Sequence, residues 1–198
     1  EEIKDIETFK KTAAEDFKTA YHLFKKPSFA AVMAKADKKQ KALYAGLSAT
    51  SSNYQNLEEF LIGLGEKDPV SVSLKTTAAD FFGLRESIQE SFDIHKTGWG
   101  YLRLEIESTV DFLEPERHVI TQDEFIGSSC RINYVIHAEK LKKGNQFGEI
   151  IVKSPYQELV YHVTASRGAR IRIDLNTEEK RRKAGLVHAY IDYCEEKT

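Results

Sequence analysis

The chain has few of the residues that announce a reaction or a compartment. Its 198 residues include two cysteines, four prolines, one methionine and one tryptophan. Cys130 and Cys194 sit in unlike segments and form no CxxC or other metal-ligand spacing, so they read as two reduced thiols and favour a reducing, cytoplasmic setting. No apolar run approaches the roughly 20 residues of a membrane helix, so no membrane insertion is expected. Lys plus Arg number 29 and Asp plus Glu 31, a formal net charge of -2. Such a balance lacks the electropositive footprint of a nucleic-acid binder. No signal peptide opens the chain, which begins Glu1-Glu2-Ile3-Lys4 without a Met. It ends Glu195-Glu196-Lys197-Thr198 inside a helical pattern, and the expectation is a piece of a longer protein.

Catalytic signatures are equally scarce. Gly127-Ser128-Ser129 is not the GxSxG of a nucleophile elbow. There is no glycine-rich phosphate loop and no GxGxxG after a strand. The six histidines, His22, His95, His118, His137, His162 and His188, form no HxH or HExxH pair. His137 and His162 fall on predicted strands that could meet across a sheet, but closed zinc sites usually show clustered ligands. The acidic pairs Glu58-Glu59 and Glu114/Glu116 read as caps or loop charges. The expectation is a protein that is not an enzyme and holds no cofactor and no metal.

What is present is a change of hydrophobic period near Asp68-Pro69. Before it, Ile6, Phe9, Ala13, Phe17, Ala20, Tyr21 and Phe24 step by three or four residues, which predicts one helix from about Asp5 to Phe24. Pro27 interrupts, then Phe29, Val32, Met33 and Ala36 resume the helical spacing. A third helix is predicted from about Lys38 to Leu47. The Ser51-Ser52-Asn53 cluster caps a fourth, carried by Leu57, Phe60, Leu61 and Leu64 and closed by Gly63 or Gly65. The cations Lys25, Lys26, Lys35, Lys38, Lys39 and Lys41 read as solvated helix faces.

After Val70 the apolar residues alternate. Val70, Val72 and Leu74 begin the pattern. The triplets Leu102/Leu104/Ile106 and Ile132/Tyr134/Ile136 continue it, with the pair Ile150/Val152 and then Leu159/Tyr161/Val163/Ala165. Ala78 to Leu84 is ambiguous and fits a helical turn as well. About seven short strands in about 100 residues, joined by short loops, predict an antiparallel immunoglobulin-like sandwich. Beyond it, Ile171, Ile173 and Leu175 alternate briefly. A last helix, capped by Asn176 or Thr177, then carries Leu186, Val187, Tyr190, Ile191 and Cys194 on one face.

Trp99 stands between two glycines at a strand turn. Its commonest role there is a plug in the sandwich core; exposed, it becomes a platform for a sugar or peptide that Tyr101 and Tyr156 extend.

Several runs carry a resemblance. They are Asn56-Leu57-Glu58-Glu59-Phe60-Leu61-Ile62-Gly63, Gly98-Trp99-Gly100-Tyr101-Leu102-Arg103-Leu104-Glu105-Ile106, Phe125-Ile126-Gly127, Lys153-Ser154-Pro155-Tyr156-Gln157-Glu158-Leu159 and Val163-Thr164-Ala165-Ser166-Arg167-Gly168. With them the chain resembles a large uncharacterised family of gut-dwelling Gram-positive bacteria. The resemblance implies N-terminal immunoglobulin-like domains with a helical insertion, followed by a long helical region. It implies no activity, no cofactor and no catalytic residue.

The reading is thus a multi-part α+β protein. Residues 1–67 form a short-helix bundle, 68–168 a seven-stranded antiparallel immunoglobulin-like β-sandwich, and 169–198 a linker strand and C-terminal helix. The expected function is a non-catalytic interaction or scaffold module whose partners are neighbouring domains or another protein. That reading expects exposed apolar patches on the first and last helices. The alternative is a carbohydrate- or peptide-binding accessory module using Trp99, Tyr101 and Tyr156.

Overall fold

A computed structural model describes residues 3–49 and 53–168. The strand expected over Ile171–Leu175 and the expected C-terminal helix with Cys194 lie outside the described residues. All described helices and strands belong to one compact unit ending at Arg167.

The helical spacing produces five helices, not four: α1 Ile6–Glu15, α2 Phe17–Phe24, α3 Pro27–Met33, α4 Lys38–Ser48 and α5 Tyr54–Gly63. The expected single helix over 5–24 breaks at Asp16, whose backbone is extended (φ -143°, ψ 94°). Its N–H donates to Thr12 O at 2.7 Å and ends α1. Its carboxylate accepts from the Thr19 hydroxyl at 2.6 Å and the Thr19 N–H at 3.0 Å, and so starts α2. Those bonds hold the Asp16 carboxyl below its ordinary range. An aspartate satisfies orphan N–H groups better outside a helix than within one, so it ends one helix and caps the next.

Asn53 caps α5, accepting the Asn56 N–H at 3.0 Å. At the other end Gly65 (φ 76°) takes the left-handed conformation. There Gly65 N–H reaches Ile62 O and Glu66 N–H reaches Leu61 O, so the orphan carbonyls are satisfied.

The helices close around aromatic rings. Phe9 stacks on Phe29 with centroids 4.1 Å apart, and Phe60 meets both edge-on. Phe9, Phe24, Phe29 and Phe60 are buried with Leu57, Leu61 and Met33. Burial of each such side chain contributes about 1.5–3 kcal/mol. The lysines at 25, 26, 35, 38, 39 and 41 are exposed.

The alternating half forms nine strands among the described residues, not seven: β1 Ser71–Leu74, β2 Ala78–Leu84, β3 Ile88–Thr97, β4 Arg103–Ser108, β5 Leu113–Pro115, β6 Val119–Thr121, β7 Ser129–Ile136, β8 Asn145–Lys153 and β9 Glu158–Arg167. One sheet has the order β1-β3-β7-β5 and the other β2-β9-β8-β4-β6. The ambiguous stretch Ala78–Leu84 is a strand, and it runs parallel to β9, so the sandwich is not wholly antiparallel. The first strand divides: β1 joins one sheet, the chain crosses over Lys75–Thr77, and β2 joins the other. The rest of the order, with β3 and β7 in one sheet and β4, β8 and β9 in the other, is that of an immunoglobulin-like sandwich.

The triplets expected to face inward do so. Leu104, Ile106, Ile132, Tyr134, Ile136, Ile150 and Val152 are all fully or almost fully buried. Phe92 stacks on Tyr161 across the sheets, 4.1 Å between centroids. Burial pushes the Tyr134 phenol far above its ordinary range.

Gly148 sits where β8 passes beneath the Val110–Leu113 loop. A Cβ there would strike Val110 Cγ2 and lie 2.8 Å from Leu113 Cδ1. Urea denaturation should show Gly148→Ala losing about 1–3 kcal/mol. Gly46, inside α4 with open space around it, gives the opposite result: Gly46→Ala should gain about 0.5–1 kcal/mol.

Candidate functional site

The helical bundle and the sandwich meet where three sequence runs converge: α5, the Gly98–Tyr101 turn and the Ser154–Gln157 hairpin. Glu58, expected to be an ordinary cap or loop charge, lies at the centre. Its side chain is 0% exposed and pairs with Lys67, 2% exposed. The other carboxylate oxygen accepts the Tyr101 N–H at 2.9 Å. Lys67 Nζ also stands 5.0 Å from the centre of the Trp99 ring. Position 100 has φ 120°, and a Cβ there would collide with both Glu58 Oε2 and Lys67 Nζ. Only glycine lets the turn close over the buried charges.

Trp99 therefore does not plug the sandwich core. It is half-buried and packs against the helical core. Tyr101 stacks on Tyr54 of α5 with centroids 5.6 Å apart. Partial burial pushes the Tyr101 phenol up, with Arg103 acting against it. Tyr156 is exposed, and its hydroxyl accepts from Gln55 Nε2 at 2.8 Å. Tyr101 thus meets α5 through Tyr54 and Tyr156 meets it through the next residue, Gln55, whereas Trp99 packs against the helical core.

Gln157 completes the junction. Its amide oxygen accepts the Val72 N–H at 3.0 Å and its amide nitrogen donates to Val72 O at 2.6 Å. One side chain from the β8–β9 hairpin thereby bonds the backbone of β1 in the opposite sheet.

Beside the junction lies a groove of about 590 Å³, lined by Gln55, Tyr101, Arg103, Glu105, Lys153 and Pro155 among others. An aromatic ring, two cations and a carboxylate at one groove can hydrogen-bond a polar ligand and stack against it.

His137 and His162, which the sequence allowed to meet across a sheet, lie apart in different sheets. His137 closes β7 between Glu114 (2.5 Å) and Glu139 (3.2 Å), whereas His162 on β9 faces Glu149 at 3.3 Å in the other sheet. Glu116 accepts from Asn133 at 2.7 Å. Cys130 is buried and unpaired, and burial raises its thiol pKa. Among the described residues no three His, Cys, Asp or Glu side chains converge as a metal site. No helix there is long and apolar enough to cross a membrane.

The architecture defines a helical bundle clamped to an immunoglobulin-like sandwich through a buried ion pair. The chain belongs to the family of unknown function DUF5717, N-terminal part, whose model matches residues 1–198. No curated protein matches it. Among solved structures it is similar to the ASH/PapD-like domain 7 of human CEP192, with a TM-score of 0.38 at 7% identity over 48% of this chain and 84% of that one. It is likewise similar to WR4, a C. elegans MSP family member, with a TM-score of 0.37 at 7% identity over 49% of this chain and 97% of that one. For the apo-form Calx CBD1 domain the TM-score is 0.38 at 7% identity, over 50% of this chain and 96% of that one.

Glu58→Ala strands Lys67 in a dry junction and should cost about 3–5 kcal/mol in chemical denaturation. The double variant Glu58→Leu/Lys67→Met should recover much of that loss. Two independent, additive losses would show that the pair is not coupled.

Proposed function

We propose that this chain is a non-catalytic interaction or scaffold module, one part of a larger bacterial protein. The observation that carries this reading is where the large exposed apolar side chains fall. Phe82 (61% exposed), Ile126 (90%) and Phe147 (74%) all lie on the sandwich, with Val119 and Tyr156. The expectation of a bare apolar patch on the first helix is not met, because Phe9 and Ala13 of α1 are buried in the bundle. The bundle therefore acts as a support, and the sandwich presents the contact surface. That the family is described as an N-terminal part agrees with a module that works beside other regions.

Photo-crosslinking amino acids at 82 and 147 in the full-length protein test this. They should capture a defined polypeptide, while the same probe at Lys39 does not. Silence at both positions, or turnover of a substrate by the purified chain, would remove the reading.

The groove beside Tyr101 favours a second reading, an accessory site for a carbohydrate or peptide. Calorimetric titration with glycan and peptide panels decides it. A true ligand should lose about tenfold in affinity in Tyr101→Ala, and no heat from any panel member argues against it.

A further inference from the structure

Two open sheets have four edge strands, here β1, β5, β2 and β6. An unpaired edge is a row of N–H and C=O groups that templates another strand, so proteins blunt such edges. Three of these four are blunted by identifiable contacts. On β1, the outward Val72 N–H and C=O are both taken by the Gln157 amide. On β5, the Leu113 N–H donates to Val110 O, and Pro115 has no N–H. On β6, the Thr121 N–H donates to the Glu124 carboxylate at 2.9 Å.

On the fourth edge, β2, no such contact caps the outward backbone groups among the described residues; its one irregularity is a shift of register against β9 between Phe81 and Leu84, at the end of the strand. His162 N–H donates to Thr77 O, which sets the phase of the parallel ladder. Thr77, Ala79 and Phe81 turn their backbone groups toward β9, so Ala78, Asp80 and Phe82 turn theirs outward. Among the described residues no strand lies beyond this edge. The seven-residue strand Ala78–Leu84 contains no proline and no lysine. Its outer-face side chains, Ala78, Asp80 and Phe82, are all exposed.

We infer that β2 is a strand-addition site for an extended peptide of another polypeptide, one that places a cation opposite Asp80 and an apolar side chain beside Phe82. The backbone row selects an extended chain. The lone carboxylate in its middle selects the charge, because opposite charges on directly facing strand positions attract and like charges repel. A second copy fits less well: the antiparallel register centred on this edge sets Asp80 against its own symmetry mate. The inference rests on the interaction-module reading and names the partner's chemistry.

The probe is a blocked synthetic peptide alternating threonine with lysine and phenylalanine. Two control peptides accompany it: one with glutamate in place of lysine, and one N-methylated on alternate residues so that its edge donors are lost. Backbone amide NMR and hydrogen exchange on the full 198-residue chain give the readout. Alone, the amides of Ala78, Asp80 and Phe82 should exchange rapidly. With the basic peptide they should slow and shift, while the acidic and N-methylated peptides bind about tenfold more weakly or not at all. Asp80→Pro removes one outward donor and leaves the β9 ladder intact. That variant should keep the unfolding transition and lose peptide binding.

Several results would overturn the inference. One is protection of the three amides in the free monomer, which would mean the edge is already filled. Another is a concentration-dependent dimer that Asp80→Pro abolishes, which would make the occupant a second copy. Peptide binding that is insensitive to Asp80→Pro would also sink it, yet leave the interaction-module reading standing. If no peptide perturbs any resonance while crosslinks at 82 and 147 persist, the edge site falls and the module survives; if both fail, both fall.

Discussion

The geometry of the whole unit turns on one buried ion pair. Glu58 and Lys67 are taken out of water, which costs several kcal/mol per ion unless each finds its partner and its remaining hydrogen bonds. The Tyr101 N–H and the face of Trp99 supply those contacts. The pair therefore exists only when α5, the segment after it and the turn before β4 occupy one arrangement. Hydrophobic contacts alone would tolerate sliding of the bundle over the sandwich; a desolvated charge with a fixed set of partners does not. Gly100 is the steric counterpart, since any side chain there would push the turn off the ions.

Around this point the contacts are of graded strength. The Tyr54–Tyr101 stack and the Gln55–Tyr156 hydrogen bond lie at the rim, where water competes. The exposed Lys18–Asp123 pair, 3.4 Å apart, adds little. The Gln157 amide acts differently, by substituting for a strand partner on β1 and tying the two sheets together at one end.

Most of the element types were legible in the sequence, because period 3.6 and period 2 are direct records of which face meets oil. The failures have physical causes. Asp16 sits inside a continuous apolar stripe, and the stripe hides the break; the signal was an N-cap residue with Thr19 three positions on. Ala78–Leu84 is an edge strand, so half its faces are wet and the adjacent Phe81-Phe82 spoils the alternation. Trp99 was assigned to the wrong core because a Gly-Trp-Gly turn says nothing about which neighbour the ring will meet. Glu58 was hidden by its exposed neighbour Glu59, yet it falls on the same helical stripe as Tyr54, Leu57 and Leu61, and a carboxylate on such a stripe signals a buried partner. Tyr101 and Tyr156 each meet α5, through Tyr54 and Gln55, contacts that no local pattern could reveal.

The division of the first strand between two sheets has a mechanical consequence. Because β2 and β9 run side by side in the same direction, tension between Ala78 and Arg167 acts along both strands in opposite senses. The hydrogen bonds joining them then share the load in shear instead of opening one after another like a zipper. The same crossing that lets one stretch of chain belong to both sheets thus places the toughest connection of the sandwich directly in the line of pull.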